Sequence, residues 1–318
     1  MNPGFSATST FFQTQECFEF YQQLSFLKAF RYTVEDEEGL KGRVTGYLIW
    51  EGSLLKRMMT RRAIIPGGAL LDEKITEQQL TDLLHKTRVG LQKQGAIYIE
   101  FRNYNDYSKY KTVFEKSGFR YQAHLNFHVF TPSLEVAAQQ LTATKRRDLK
   151  LADGNGVSRE LSDNLNELRE YYKLLSGLYT TKIKTPLFPF EFFEKLIRYK
   201  WAKFFVVKYK NEVIGGSVCV VLDTKCIYEW FVCGEDYKYK KTFPSTVATW
   251  AAIEYAAING YKMFDMMGAG KPDEGYGVRE FKSKFGGTLV EHGRFLGIIN
   301  PVFYTIGKLA VSILKRLK

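Results

Sequence analysis

Cysteine is scarce in this chain: four occur in 318 residues, at positions 17, 219, 226 and 233. None forms a C-x-x-C pair or stands at ligand spacing from a histidine, which excludes the common zinc sites and leaves no metal to expect. Cys219 and Cys226 fall in strand-like apolar runs, where a free thiol behaves as a small hydrophobe. Histidine is equally sparse. His85, His124, His128 and His292 show no Ser/Asp partner spacing, so a hydrolytic triad is unsupported. The N-terminal MNPGFSATSTFFQTQ lacks a basic segment followed by an apolar one, so no secretory signal is read there. Together these absences point to a reducing, cytoplasmic setting.

What is present is ordinary in bulk and unusual in charge. A hydrophobic content of 45% and a charged content of 25% are those of a folded globular chain, and the length calls for one large domain or two. The net charge of +12 attracts polyanions, whether nucleic acid, nucleotide-sugars or anionic lipid head groups. Aromatics reach 15%, which an aromatic-rich core explains unless they cluster in a cleft.

Along the chain, residues 44–50 read as a strand and residues 76–94 as a helix, with leucines at 80, 83, 84 and 91. A strand (97–101), a helix (109–116) and a strand (121–130) follow, and Thr131-Pro132-Ser133 marks a boundary. Beyond it come helices at 134–141, 164–178 and 190–199, strands at 157–161, 203–209, 213–222 and 226–233, and a helix at 244–259 opened by Pro244. A strand (262–266), a glycine-rich loop, a helix (278–285) and a strand (288–295) close the second half. The two halves repeat each other. Gln94–Phe101 aligns with Asn259–Met266, and Phe114-Glu115 at the end of the next helix aligns with Phe281-Lys282, which reads as a duplicated αβαβ unit. Only the second copy carries the glycine-rich loop and Lys282, so it is the better candidate for chemistry.

That loop is the densest stretch: FDMMGAGKPDEGYGVREFKSKFGG, residues 264–287. Gly268, Gly270, Gly275 and Gly277 let the backbone approach a ligand, and the loop enters a helix bearing Arg279 and Lys282. A helix start with fixed cations suits an anion or a developing oxyanion; the plainer alternative is a solvated surface turn. Acyl transfer to an amine would also need a proton acceptor, for which Asp265, Glu229 and Asp236 are available.

The pattern resembles the signature of the FemABX family of non-ribosomal peptidyl (aminoacyl) transferases, which build peptidoglycan cross-bridges. Two further segments resemble the same family: Leu141–Ala152, with its Lys145-Arg146-Arg147, and Ile214-Gly215-Gly216 followed by Tyr228–Gly234 and Pro244-Ser245. The matches span roughly residues 140–295. The resemblance implies an α+β chain of two tandem GNAT-like lobes, each a mixed sheet flanked by helices. Residues 1–131 form the first, residues 132–297 form the second with the active site, and residues 298–318 form a basic amphipathic helix. It implies that Lys282, in the Phe281-Lys282 pair, steadies the transition state and meets the tRNA end; Asp265, from the proton acceptors named above, is the second expected catalytic residue. Lys145, Arg146, Tyr228, Glu229, Gly268, Gly270, Tyr276, Arg279 and Phe281 complete the expected substrate-binding set. The donor is then aminoacyl-tRNA, with no bound cofactor, and the acceptor an amine of a UDP-muramyl peptide or lipid-linked peptidoglycan precursor.

One departure leaves the donor open: the long coiled-coil arm that many family members carry in the second lobe is missing. Acyl-CoA, with an exopolysaccharide or amino-sugar acceptor, is the alternative. Against it, the connection Gly234–Ser245 has no second glycine to cradle pyrophosphate, and Pro244 removes an N–H donor. A catalytically silent binding module on a membrane surface is the third reading. From Pro301 onward, Val302, Phe303, Ile306, Leu309, Ala310, Ile313, Leu314 and Leu317 share one helical face, interrupted by Lys308. That run falls short of the ~18 uninterrupted apolar residues of a span, and suits either docking on the first lobe or peripheral contact with the inner membrane leaflet.

Overall fold

The computed structural model describes residues 7–52, 59–275 and 277–316, with side chains up to Leu309 in the last helix. The chain forms two compact units, one made of residues up to His124 together with those from Glu291 onward, the other of Leu125–Val290.

In the first unit, α1 (Gln15–Gln22) precedes a hairpin of β1 (Leu27–Asp36) and β2 (Gly39–Ile49). Gly39, at φ 110°, makes the turn. After β3 (Arg62–Pro66) and β4 (Leu70–Leu71) comes α2 (Glu77–Lys93). Thr76 and Gln79 close a reciprocal capping box at its start, and Leu80, Leu83, Leu84 and Leu91 are buried. β5 (Tyr98–Arg102), α3 (Lys111–Lys116) and β6 (Arg120–Gln122) complete this stretch.

The second unit opens with β7 (Leu125–Phe130), α4 (Leu134–Gln140) and α5 (Ala143–Gly154). It continues through β8 (Ser158–Leu161), α6 (Leu165–Leu178), α7 (Phe190–Leu196), β9 (Ala202–Tyr209), β10 (Glu212–Leu222) and β11 (Cys226–Gly234). Next, α8 (Pro244–Ile258) is apolar around nearly its whole circumference and accordingly buried. β12 (Met263–Gly268), α9 (Gly277–Ser283) and β13 (Thr288–Glu291) follow, and then β14 (Arg294–Ile298) and α10 (Pro301–Arg316).

Each unit is built on a mixed sheet. The first runs β1-β2-β3-β5-β14-β6, with β4 on β2; the second runs β13-β7-β12-β11-β10-β9-β8. The duplication is visible in the topology. β3 and β5 are a parallel pair joined through α2, just as β11 and β12 are a parallel pair joined through α8. Phe101, Phe114, Phe119 and Phe295 fill the first core; Ile227, Ile253, Phe264 and Phe285 belong to the second.

Two expected strands each divide in two. Residues 121–130 become β6 in the first sheet and β7 in the second, and residues 288–295 become β13 in the second and β14 in the first. Each stretch has strand formers at both ends and weaker ones between (Gln122 to Asn126, and Glu291 to Arg294), a signal too slight to divide one strand from two. Gly293, at φ 66°, supplies one of the two turns. The boundary therefore falls at His124/Leu125 instead of after Thr131, and the chain from Glu291 onward returns to the first unit. The last helix is tied to β5's unit at its start: Ile299 and Asn300 donate to the Ile97 carbonyl, and the Tyr304 ring meets Tyr98 at 5.5 Å. No helix among the described residues is long and apolar enough to cross a membrane.

Candidate active site in the second unit

The parallel pair β11–β12 places Tyr228 opposite Asp265, with Glu229 next along the strand. All three are buried. Just past Asp265 the pairing of β12 with β7 slips, and Met267 takes φ 59°. The strand thereby ends in an irregular turn. Asp265 bridges that turn, its Oδ1 accepting from the Met267 N–H at 2.6 Å, while its Oδ2 lies 3.5 Å from His128 Nε2.

Lys282 comes to the same place from α9. The residue is 7% exposed, and its ammonium donates to the Gly268 carbonyl at 2.9 Å and to the Met266 carbonyl. An ammonium carries three N–H groups, so one remains for a substrate oxygen. Burial pushes the Lys282 pKa down, opposed by the charges of Glu229 and Asp265. Burial pushes Glu229 up to about 7, against the pull of Lys282 and the Thr249 hydroxyl. Glu229 Oε1 has no hydrogen-bond partner among the described residues. A buried carboxyl poised near neutrality beside a buried ammonium is the electrostatic profile of a site that handles charge and protons.

A second buried cation stands beside it. Lys145, on α5, is 6% exposed; its ammonium donates to Thr246 Oγ1 of α8 at 2.5 Å. It also lies over the rings of Phe281 and Phe285, 4.4 and 5.1 Å from their centres. Burial lowers its pKa. Thr142 ties the start of α5 to the Lys284 carbonyl through both its N–H and its hydroxyl. Gly286 and Gly287, both at positive φ, let the chain pass where a Cβ would come within 2.4 Å of the Gln140 and His128 carbonyls. The turn after α9 is thus pressed against α4 and β7, which fixes Phe281, Lys282 and Phe285 in place.

The structure does not bring every expected residue to this cluster. The Arg146 guanidinium donates to the Leu141 and Gln139 carbonyls and serves the end of α4. Arg279 donates to the carbonyls of Ala269, Pro272, Glu274 and Lys271, so it organises the glycine-rich loop from within and is not an open anion site. Gly268 lends its carbonyl to Lys282. Gly270 takes φ 79° and its carbonyl accepts from Leu125. Tyr276 lies outside the described residues. Thr246, Thr249, His128 and Phe285 are members that sequence reasoning missed. The two threonines sit in an apolar helix where nothing local marks them, and Phe285 was quoted in the motif without being singled out. In the first unit, the residue aligned with Lys282 is the exposed Glu115, and Gly67-Gly68 form a structural turn held by Gln13 and Tyr107. Among the described residues no three or more His, Cys, Asp or Glu are grouped to hold a metal.

The connection into α8 bears on the donor. Asp236 accepts from both the N–H and the hydroxyl of Ser245, so a carboxylate already occupies the first turn of this helix, and Pro244 has no N–H to offer.

Comparison with known proteins bears on the family and fold of the chain. The FemAB family model matches residues 99–312, two thirds of the chain. Among solved structures, the crystal structure of FemX superposes with a TM-score of 0.71 at 14% identity, covering 94% of each chain. The C-terminal domain of a lysylphosphatidylglycerol synthetase from Agrobacterium fabrum gives 0.58 at 15% identity, covering 89% of this chain and 88% of its own. A tandem GNAT protein from the clavulanic acid biosynthesis pathway gives 0.54 at 9% identity, over 86% and 84%. No curated protein matches the chain. Two mixed sheets of GNAT type, a buried lysine at the end of the signature helix, and a family match over most of the chain together make this protein a member of the FemAB family, an aminoacyltransferase of the peptidoglycan-bridge type.

Proposed function

We propose that the second unit transfers an amino acid from aminoacyl-tRNA to an amine of a peptidoglycan precursor, a UDP-muramyl peptide or its lipid-linked form. The observation that carries this is the buried Lys282 ammonium, held by the Met266 and Gly268 carbonyls with one N–H to spare. A neutral amine attacks the ester carbonyl, forming the C–N bond, and the carbonyl oxygen gains negative charge. Lys282 stabilises that oxyanion in a site from which water is largely excluded. As the tetrahedral intermediate collapses, the ester C–O bond breaks and the ribose oxygen leaves. The proton shed by the attacking amine passes to the Glu229 carboxylate, whose pKa burial raises to about 7, and from it to the departing ribose oxygen, which leaves as a hydroxyl. Asp265 keeps the strand end in the shape that Lys282 needs. Lys145, over the Phe281 ring, serves the donor side, where a phosphate meets the second cation, and Tyr228, opposite Asp265, belongs to the same site.

Acyl-CoA as donor is disfavoured by Asp236, because a pyrophosphate at the start of α8 would meet a carboxylate already bound there. A cytoplasmic position at the inner face of the membrane belongs to the same reading, since a lipid-linked acceptor is presented there. The test is a transfer assay with charged tRNA and muramyl-peptide acceptors. Loss of one oxyanion donor lowers turnover by about 100- to 1,000-fold, so Lys282→Ala should fall in that range while KM for the donor changes little. A Lys282→Ala enzyme with undiminished turnover overturns the assignment. Thermal stabilisation by acetyl-CoA and none by aminoacyl-tRNA would move the donor to the alternative.

A further inference from the structure

The last helix leaves an apolar stripe uncovered. Val302, Ile306 and Leu309 follow one another at i, i+4 and i+7 and are 66%, 43% and 58% exposed. The helix is nonetheless firmly rooted: Asn300 Oδ1 caps the Phe303 N–H at 3.1 Å, and Phe303 and Tyr304 are half-buried against the first unit. From Ile298 to the C-terminus the chain has four cations, Lys308, Lys315, Arg316 and Lys318, and no acidic residue.

Two adjoining cavities of the same unit open beside this root. One, of about 280 Å³, is lined by Ile299, Asn300 and Phe303 together with Arg61; the other, of about 430 Å³, by Lys28, Trp50, Lys93 and the same Arg61. Among the described residues, no acidic one lines either. Arg61 reaches the Gln94 carbonyl at 2.7 Å and lies over Trp50, yet its buried Nε has no partner among the described residues. On a helical projection Phe303 falls between the docked side of α10 and the exposed stripe, so the stripe is continuous with the mouth of the cavities.

We propose that this face of the first unit docks on an anionic phospholipid bilayer, with Val302, Ile306 and Leu309 entering the acyl boundary and Lys28, Arg61 and Lys93 receiving a lipid headgroup phosphate. An apolar stripe alone would accept any greasy partner. An acid-free cationic cavity at its edge, in a chain of net charge +12, selects an anionic lipid surface. The inference extends the membrane position of the functional reading to a named surface, and its test requires neither donor nor acceptor.

The full chain is sedimented with phosphatidylcholine vesicles with and without phosphatidylglycerol. Binding is expected only to the phosphatidylglycerol vesicles, weakening as salt rises. Ile306→Asp with Leu309→Asp should abolish it. Arg61→Gln with Lys93→Gln should weaken it about fivefold per cation removed. Circular dichroism and an unchanged melting temperature verify that each variant folds. Lys282→Ala should bind vesicles like the wild type, so a failed transfer assay and a failed docking assay are distinguishable. The proposal is overturned if the folded wild type does not sediment, if it binds both vesicle types equally, if either double variant binds as the wild type does, or if inorganic phosphate saturates the cavity without vesicle binding.

Discussion

Glu229 and Lys282 show how two residues on different elements acquire chemistry that neither has alone. Each is an ordinary surface charge in most proteins; here both are buried, and their pKa values are driven toward each other by desolvation. The consequence for stability has a definite sign. The folded chain holds the Glu229 proton up to about 7, whereas an unfolded carboxyl gives it up near pH 4.3. The stabilisation from this group is therefore complete below the unfolded value and lost as pH rises through about 7. Between about pH 5 and about pH 8 the wild type should lose roughly 2–3 kcal/mol from this source, and Glu229→Gln should lose none of it, as urea unfolding at the two pH values would show. In the transfer assay, the wild-type rate should climb through pH 7 as Glu229 ionises, and Glu229→Gln should flatten that limb.

At the scale of elements, the glycine-rich loop and the turn after α9 are held by opposite means. The loop is gathered inward by one side chain, Arg279, acting on four carbonyls. Arg279→Ala should leave the core intact and open the loop, measured as faster proteolytic cleavage within residues 269–275 with little change in melting temperature. The turn at Gly286-Gly287 is held by lack of space. At Gly287 an added methyl group meets the His128 carbonyl at 2.4 Å in a backbone conformation that disfavours any side chain. Gly287→Ala should accordingly destabilise the protein by about 2 kcal/mol or more in chemical denaturation, and reduce transfer by displacing Lys282 and Phe281.

At the scale of the molecule, the chain is not two consecutive domains. β14 lies between β5 and β6 in the first sheet, and Phe295 from this late strand is fully buried, stacked on Phe114 at 4.2 Å. The first unit cannot complete its core until residues from the far end of the chain arrive. Phe295→Ala should cost about 3–5 kcal/mol and lower the melting temperature of the first unit, since the cavity would open between packed rings. Truncation at Val290 should leave the first unit unable to fold, seen as loss of its cooperative transition in calorimetry.

Much of this was legible beforehand. The leucine spacing of α2, the proline that opens α8, the three successive strands β9–β11, the duplication and the Phe281-Lys282 signature are local patterns, and local patterns survive in one dimension because helix and strand periods are short. The sequence by itself also determined the charge, the family and the segment to which the proposed chemistry is assigned. It did not reveal that Arg279 and Arg146 are spent on main-chain carbonyls, that Thr246 and Thr249 face the buried charges, or that two expected strands divide between sheets. Those were decided by tertiary structure, because hydrogen-bond partners, desolvation and strand pairing join residues far apart along the chain. Lys282 is the clearest case: its position is marked in the sequence, while its burial and its altered basicity exist only once β11, β12 and α9 have closed around it.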